Sequence, residues 1–156
     1  MTATNRTRDG RALRQFFLGL AVERDTATLP QSTDGALFNV TNGRILLIGI
    51  IGEVTTAIQN QANNTKLKSV PTTGTTVDLC AVLSIANKEV GTLFGITGTF
   101  SDAMVGANAG ATIIPDRDIV IPVGSIKLDC AASNTGSVKW TLFYVPIDDG
   151  ASVAAA

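Results

Sequence analysis

A chain of 156 residues with 45% hydrophobic but only 16% charged residues is long enough for one substantial core. It lacks the charge, about 25% in an ordinary domain, that solvates a lone surface, so it is expected to bury surface against further copies or a partner. A net charge of −1 with a pI near 5.3 gives no overall field for nucleic acid. The absence of histidine removes Ser-His-Asp and Cys-His catalysis and the commonest metal ligand.

Residues 1–35 read as an N-terminal arm and linker. Residues 1–10 are polar, and up to residue 24 five arginines face two acids, a local excess of three positive charges. Leu13, Phe16, Phe17 and Leu20 fall at i, i+3, i+4 and i+7, one face of a short amphipathic helix over residues 11–23. An extended arm is the competing reading, and Gly19 weakens the helix. Arg11 and Arg14 ahead of residues 16–22 faintly resemble a signal peptide. However, Glu23, Arg24 and Asp25 stand where a small-residue cleavage site belongs, and no apolar run approaches the roughly 18 residues of a membrane span. Residues 25–35, rich in Thr, Pro, Ser and Asp, read as the linker. The apolar stripe is too short to be a stable helix alone. Its expected dock is its own body, an adjacent copy or an acidic partner, with Arg6, Arg8, Arg11 and Arg14 supplying salt-sensitive steering.

Residues 36–150 read as one β-sandwich domain. Residues 36–41, the pair Asn42-Gly43 and residues 44–54 make the strongest hairpin signal in the chain. Residues 45–51 are apolar on both faces, as in a strand at a sandwich centre or a subunit interface. Residues 66–70 alternate and end at Pro71. Residues 76–86 predict a long strand with Val77, Leu79, Ala81, Leu83 and Ile85 on one face. Residues 87–91 predict a hairpin turn into 92–97, and the Gly-rich stretch 100–110 an exposed loop. The last long hairpin, 119–147, sets Ile126, Leu128 and Cys130 on one face of its first strand. It turns at Asn134-Thr135-Gly136 and sets Val138, Trp140, Leu142 and Tyr144 on one face of its return. Residues 151–156 have no reason to be ordered alone and read as a flexible tail. The pattern predicts an all-β, antiparallel sandwich or barrel of Greek-key or jelly-roll type.

No catalytic, cofactor or metal constellation emerges. Asp116/Asp118 and Asp148/Asp149 read as turn carboxylates, with a glycosidase pair or a Ca²⁺ site as alternatives. Lys66/Lys68 and Lys127/Lys139 read as solvated strand faces. Cys80 and Cys130 sit in strand patterns, as two core thiols, as one bridge, or as a reactive thiol. Glycines 106 and 110 neither follow a clear strand nor open a helix, so they fail as a phosphate loop. Asn39-Val40-Thr41 and Asn63-Asn64-Thr65 match the N-glycosylation pattern, which matters only in a secreted protein.

The Arg-bearing arm, the β body rich in Thr, Gly and Ala, the missing histidine and the Ala-rich end resemble structural proteins of tailed-bacteriophage virions. Capsid decoration (cement) proteins and other small head proteins are the most similar. Residues 37–54 and 126–149, under a third of the chain, carry the resemblance. It is one of composition and architecture, without a diagnostic motif, and the chain looks longer and richer in strand than the small lambda-type decoration proteins. It implies a non-enzymatic homo-oligomer, often a trimer, seated on the major capsid protein lattice by its N-terminal segment. Such a protein is found in the virion and assembled in host cytoplasm, with neither nucleic acid nor membrane as partner. A tail or fibre component is the alternative. A carbohydrate-binding module, the third reading, needs exposed aromatics on one sheet face.

Overall fold

A computed structural model describes residues 19–107 and 110–156. Among them the chain is all-β, in two antiparallel sheets packed as a sandwich. The strands are β1 (Leu20–Thr28), β2 (Asp34–Thr41), β3 (Ile45–Thr56), β4 (Asn64–Pro71), β5 (Val77–Asp78), β6 (Leu83–Ser84), β7 (Leu93–Phe94), β8 (Ile119–Ile121), β9 (Gly124–Cys130), β10 (Ser137–Pro146) and β11 (Ser152–Ala155). Sheet A runs β1-β10-β3-β7, with β8 also on β3. Sheet B runs β11-β2-β9-β4-β5, with β6 also on β4.

Period-2 alternation drives the packing. Ile126, Leu128 and Cys130 of β9 and Val138, Trp140, Leu142 and Tyr144 of β10 are all buried, as their spacing predicts. Trp140 stacks on Phe94 with ring centroids 6.3 Å apart, within the range of a favourable aromatic pair. Its indole lies over Gly52, where a Cβ would fall 2.8 Å from the ring. Gly52 pairs with Trp140 in the ladder between β10 and β3, so the largest side chain of the core is accommodated by a missing one on the next strand.

Both long hairpins of the sequence reading prove to be crossings between sheets. Asn42 and Gly43 do turn the chain, but β2 pairs with β9 and β11 while β3 pairs with β10, β7 and β8. Likewise residues 131–136 carry the chain from β9 in sheet B to β10 in sheet A. A turn signal specifies a reversal and not the partner. Inner-face residues of successive strands meet across the sandwich, Leu128 from one side and Trp140 from the other.

The ends also differ from expectation. Leu20–Thr28 is strand and not the end of a helix, paired along β10 from Leu20 opposite Tyr144 to Thr28 opposite Ser137. Cross-strand bonding and the half-buried Val22 outweigh the weak helical stripe. The linker shrinks to residues 29–33, and Leu29 within it is buried. The C-terminal residues are not a loose tail. β11 pairs with β2, Val153 is buried, and its N–H donates to Tyr144 Oη at 3.3 Å. The long strand expected over 76–86 is broken into β5 and β6, because Leu79 and Cys80 are both buried and one of two neighbours must then leave the pleat. Residues 87–91 lead to β7, which pairs with β3 and not with β6. Within the stretch expected to be an exposed loop, Met104 is buried in the core.

Candidate assembly surface

The two outer faces of the sandwich have opposite chemistry. On sheet B, lysines and aspartates of four strands interlock: Lys66 with Asp78 at 2.7 Å, Lys68 with Asp34 at 2.7 Å and Asp129 at 3.4 Å, and Lys127 with Asp34 at 3.2 Å. The hydrogen bond from Lys68 holds the Asp34 carboxyl below its ordinary 3.8, against the opposing effect of burial and with Lys127 helping. Burial would lower the Lys68 ammonium, but Asp34 and Asp129 together raise it. This face is solvated and internally neutralised, as the sequence reading of these lysines expects.

The outer face of sheet A is apolar along much of its length. β3 carries a bulge opposite β10, where Phe143 pairs with Gly49 and Tyr144 with Leu47. Ile48 is the extra residue, and bulges re-aim side chains in this way. Leu46, Ile48 and Ile51 of β3 and Phe143 of β10 are half-buried, while Val120 of β8 is 54% exposed and Val145 of β10 is 40% exposed. The expectation that residues 45–51 are apolar on both faces is met: Ile45, Leu47 and Ile50 are in the core. Within this face Ile48, Gly49, Ile51, Phe143 and Ile114 line a cleft of about 160 Å³, with Ile114 51% exposed. Among the described residues the lining is entirely apolar. This apolar surface, bordered by Glu23 paired with Lys139 at 3.3 Å, is the candidate for an interaction site.

Of the residues expected to bind a partner, Arg6, Arg8, Arg11, Leu13, Arg14, Phe16 and Phe17 lie outside the described residues. Leu20 is the first residue of β1, partly exposed at the sheet edge. The sequence reading missed Phe143 and Val145. Their signal was the change along one face of β10 from Lys139 and Thr141 to Phe143 and Val145. It also missed Ile114 and Val120, which no local pattern ties to β3.

The other constellations resolve into local structure. Asp148 accepts from the Arg44 N–H at 2.7 Å and from its guanidinium at 2.9 and 2.7 Å, which holds its carboxyl well below the usual range. It thereby fastens the turn before β3 to the end of β10. Asp116 and Asp118 are exposed. Among the described residues no cluster of three metal-ligating side chains occurs, and no helix is long and apolar enough to cross a membrane. Cys80 and Cys130 are free and buried, and burial pushes the Cys130 thiol up to about 11 and raises that of Cys80. A depression of about 380 Å³ between Thr28, Gln31, Thr56 and Asn134 has no aromatic among its described lining residues. Trp140 and Tyr144 are in the core, so neither is a platform for a sugar.

Comparison with protein families, curated proteins and solved structures finds no match to this chain.

Proposed function

We propose that the chain is a non-enzymatic structural subunit of a phage-type virion. It associates as a homotrimer and binds the major capsid protein lattice, stabilising or decorating the head. The observation that carries this reading is the contrast between the self-neutralised outer face of sheet B and the apolar outer face of sheet A. A free monomer gains nothing from exposing Val120, Val145 and Ile114, whereas an assembling subunit buries them. The resemblance to capsid decoration proteins supports the choice of assembly.

The test is solution mass by sedimentation at micromolar concentration, followed by binding to undecorated phage heads. Wild-type protein should sediment as a trimer, and Val120→Asp with Val145→Asp should yield folded monomers that no longer decorate. A well-behaved wild-type monomer would sink the self-association. Binding confined to tails or fibres would move the protein to another part of the particle.

A further inference from the structure

We propose that a pocket between the sheets, beneath β1, is a carboxylate-binding site built on Arg24. Arg24 stands opposite Trp140 in the ladder between β1 and β10. Residues directly opposite share a face of the sheet, and Trp140 is in the core, so the Arg24 side chain is directed inward. A bulge follows it, between Arg24 and Ala27, and bulges re-aim side chains beside functional sites. The pocket lies alongside, walled by Leu37 of β2, Leu128 of β9, and Val138 and Trp140 of β10.

A charge aimed into such a place calls for a partner, and the described chain gives none. The Arg24 Nε is enclosed without an acceptor, and its guanidinium forms no ion pair with a described residue. Glu23, its neighbour, pairs with Lys139, and Asp34 at the start of β2 is held by Lys68 and Lys127. What is missing is an acceptor, and the pocket sets its size. Its volume is about 30 Å³, and one water-sized atom needs about 10–15 Å³. Two oxygens therefore fit, and the four of sulfate or phosphate do not. Nε and one Nη of a guanidinium present parallel N–H bonds to two such oxygens, the arrangement of an Arg–carboxylate fork. Apolar walls strengthen that contact by excluding water. Arg24 is half-buried, which leaves a route in along its side chain. The carboxylate belongs to a small free acid or to an acidic side chain of a second copy, and the site does not depend on the virion reading.

NMR of the full chain tests the site through the Arg24 Nε–H signal, assigned by its loss in Arg24→Met. Formate should shift that signal saturably, half-complete at millimolar concentration, while chloride and sulfate at the same ionic strength should not. At ten times the half-saturating concentration, formate should raise the Tm of the wild type by about 3–6 °C and leave that of Arg24→Met unchanged. Dilution identifies the source. A formate-free signal that starts at the bound position in concentrated protein and moves to the free one on dilution assigns the carboxylate to a second copy. One that stays at the free position throughout, and responds to formate, assigns it to a small acid. A signal that ignores formate at every dilution, or responds equally to chloride, would show that the pocket holds only water and overturn the proposal. An equal gain in Tm for Arg24→Met would overturn it too.

Discussion

Trp140 shows how much of this fold hangs on single side chains. It is 1% exposed, stacked on Phe94 and seated over Gly52. Trp140→Ala leaves a large void between the sheets and should cost about 3–5 kcal/mol, read as a shift in the urea unfolding midpoint. Gly52→Ala should also destabilise, because its methyl group would meet the indole at 2.8 Å in a packed interior that cannot yield. A loss under about 1 kcal/mol for Trp140→Ala would place the ring outside the core. The buried cysteines add to this core as small apolar side chains, and their raised thiols are poor nucleophiles at neutral pH.

At the scale of elements, Asp34 ties three strands of sheet B together. It belongs to β2 and pairs with Lys127 on β9 and Lys68 on β4. Its carboxyl is depressed in the folded chain. Its contribution is therefore complete above the unfolded value near 3.8 and is lost as pH falls through the lower folded value. Asp34→Asn should be less stable than wild type at pH 7, and the two should converge in acid; parallel stability profiles from pH 7 to 2 would show that Asp34 is not the linked group. The lysine and aspartate positions of these strands were legible as polar faces, and the buried positions of β9 and β10 as apolar ones, because alternation is local. Strand partners were not legible. Asn42-Gly43 and Asn134-Thr135-Gly136 signal a reversal equally well whether the chain re-enters the same sheet or crosses to the other. The termini were misread for a related reason. Leu20–Thr28 and Ser152–Ala155 carry little pattern of their own and are strands because β10 and β2 offer them open edges. Half of the candidate surface was visible in the two-faced run 45–51; Ile114 and Val120 reach it only through tertiary placement.

For the whole molecule, the uneven charge distribution separates two modes of contact. On the proposed reading, the apolar face of sheet A would give adhesion that salt does not weaken, and the arginines of residues 1–14 an attraction that salt screens. Replacing Arg6, Arg8, Arg11 and Arg14 by Gln should weaken binding to undecorated heads more at 50 mM than at 500 mM salt. An equal loss at both would remove steering from the account. The crossings between sheets carry a further consequence, for the time the chain takes to become itself. Among the described strands only β4 and β5 are both consecutive and paired; β3 waits for β10, and β2 for β9 and β11. At about 5–20 residues per second of synthesis, Ile50 leaves the ribosome on the order of ten seconds before its partner Leu142. During that interval the edge of β3 that faces β10 has no partner, although β7 and β8 are made earlier, and long-range pairing of this kind folds slowly even afterwards. If the proposed assembly holds, the residues of its adhesive face would thus also expose the nascent chain to premature association until β10 arrives beside them.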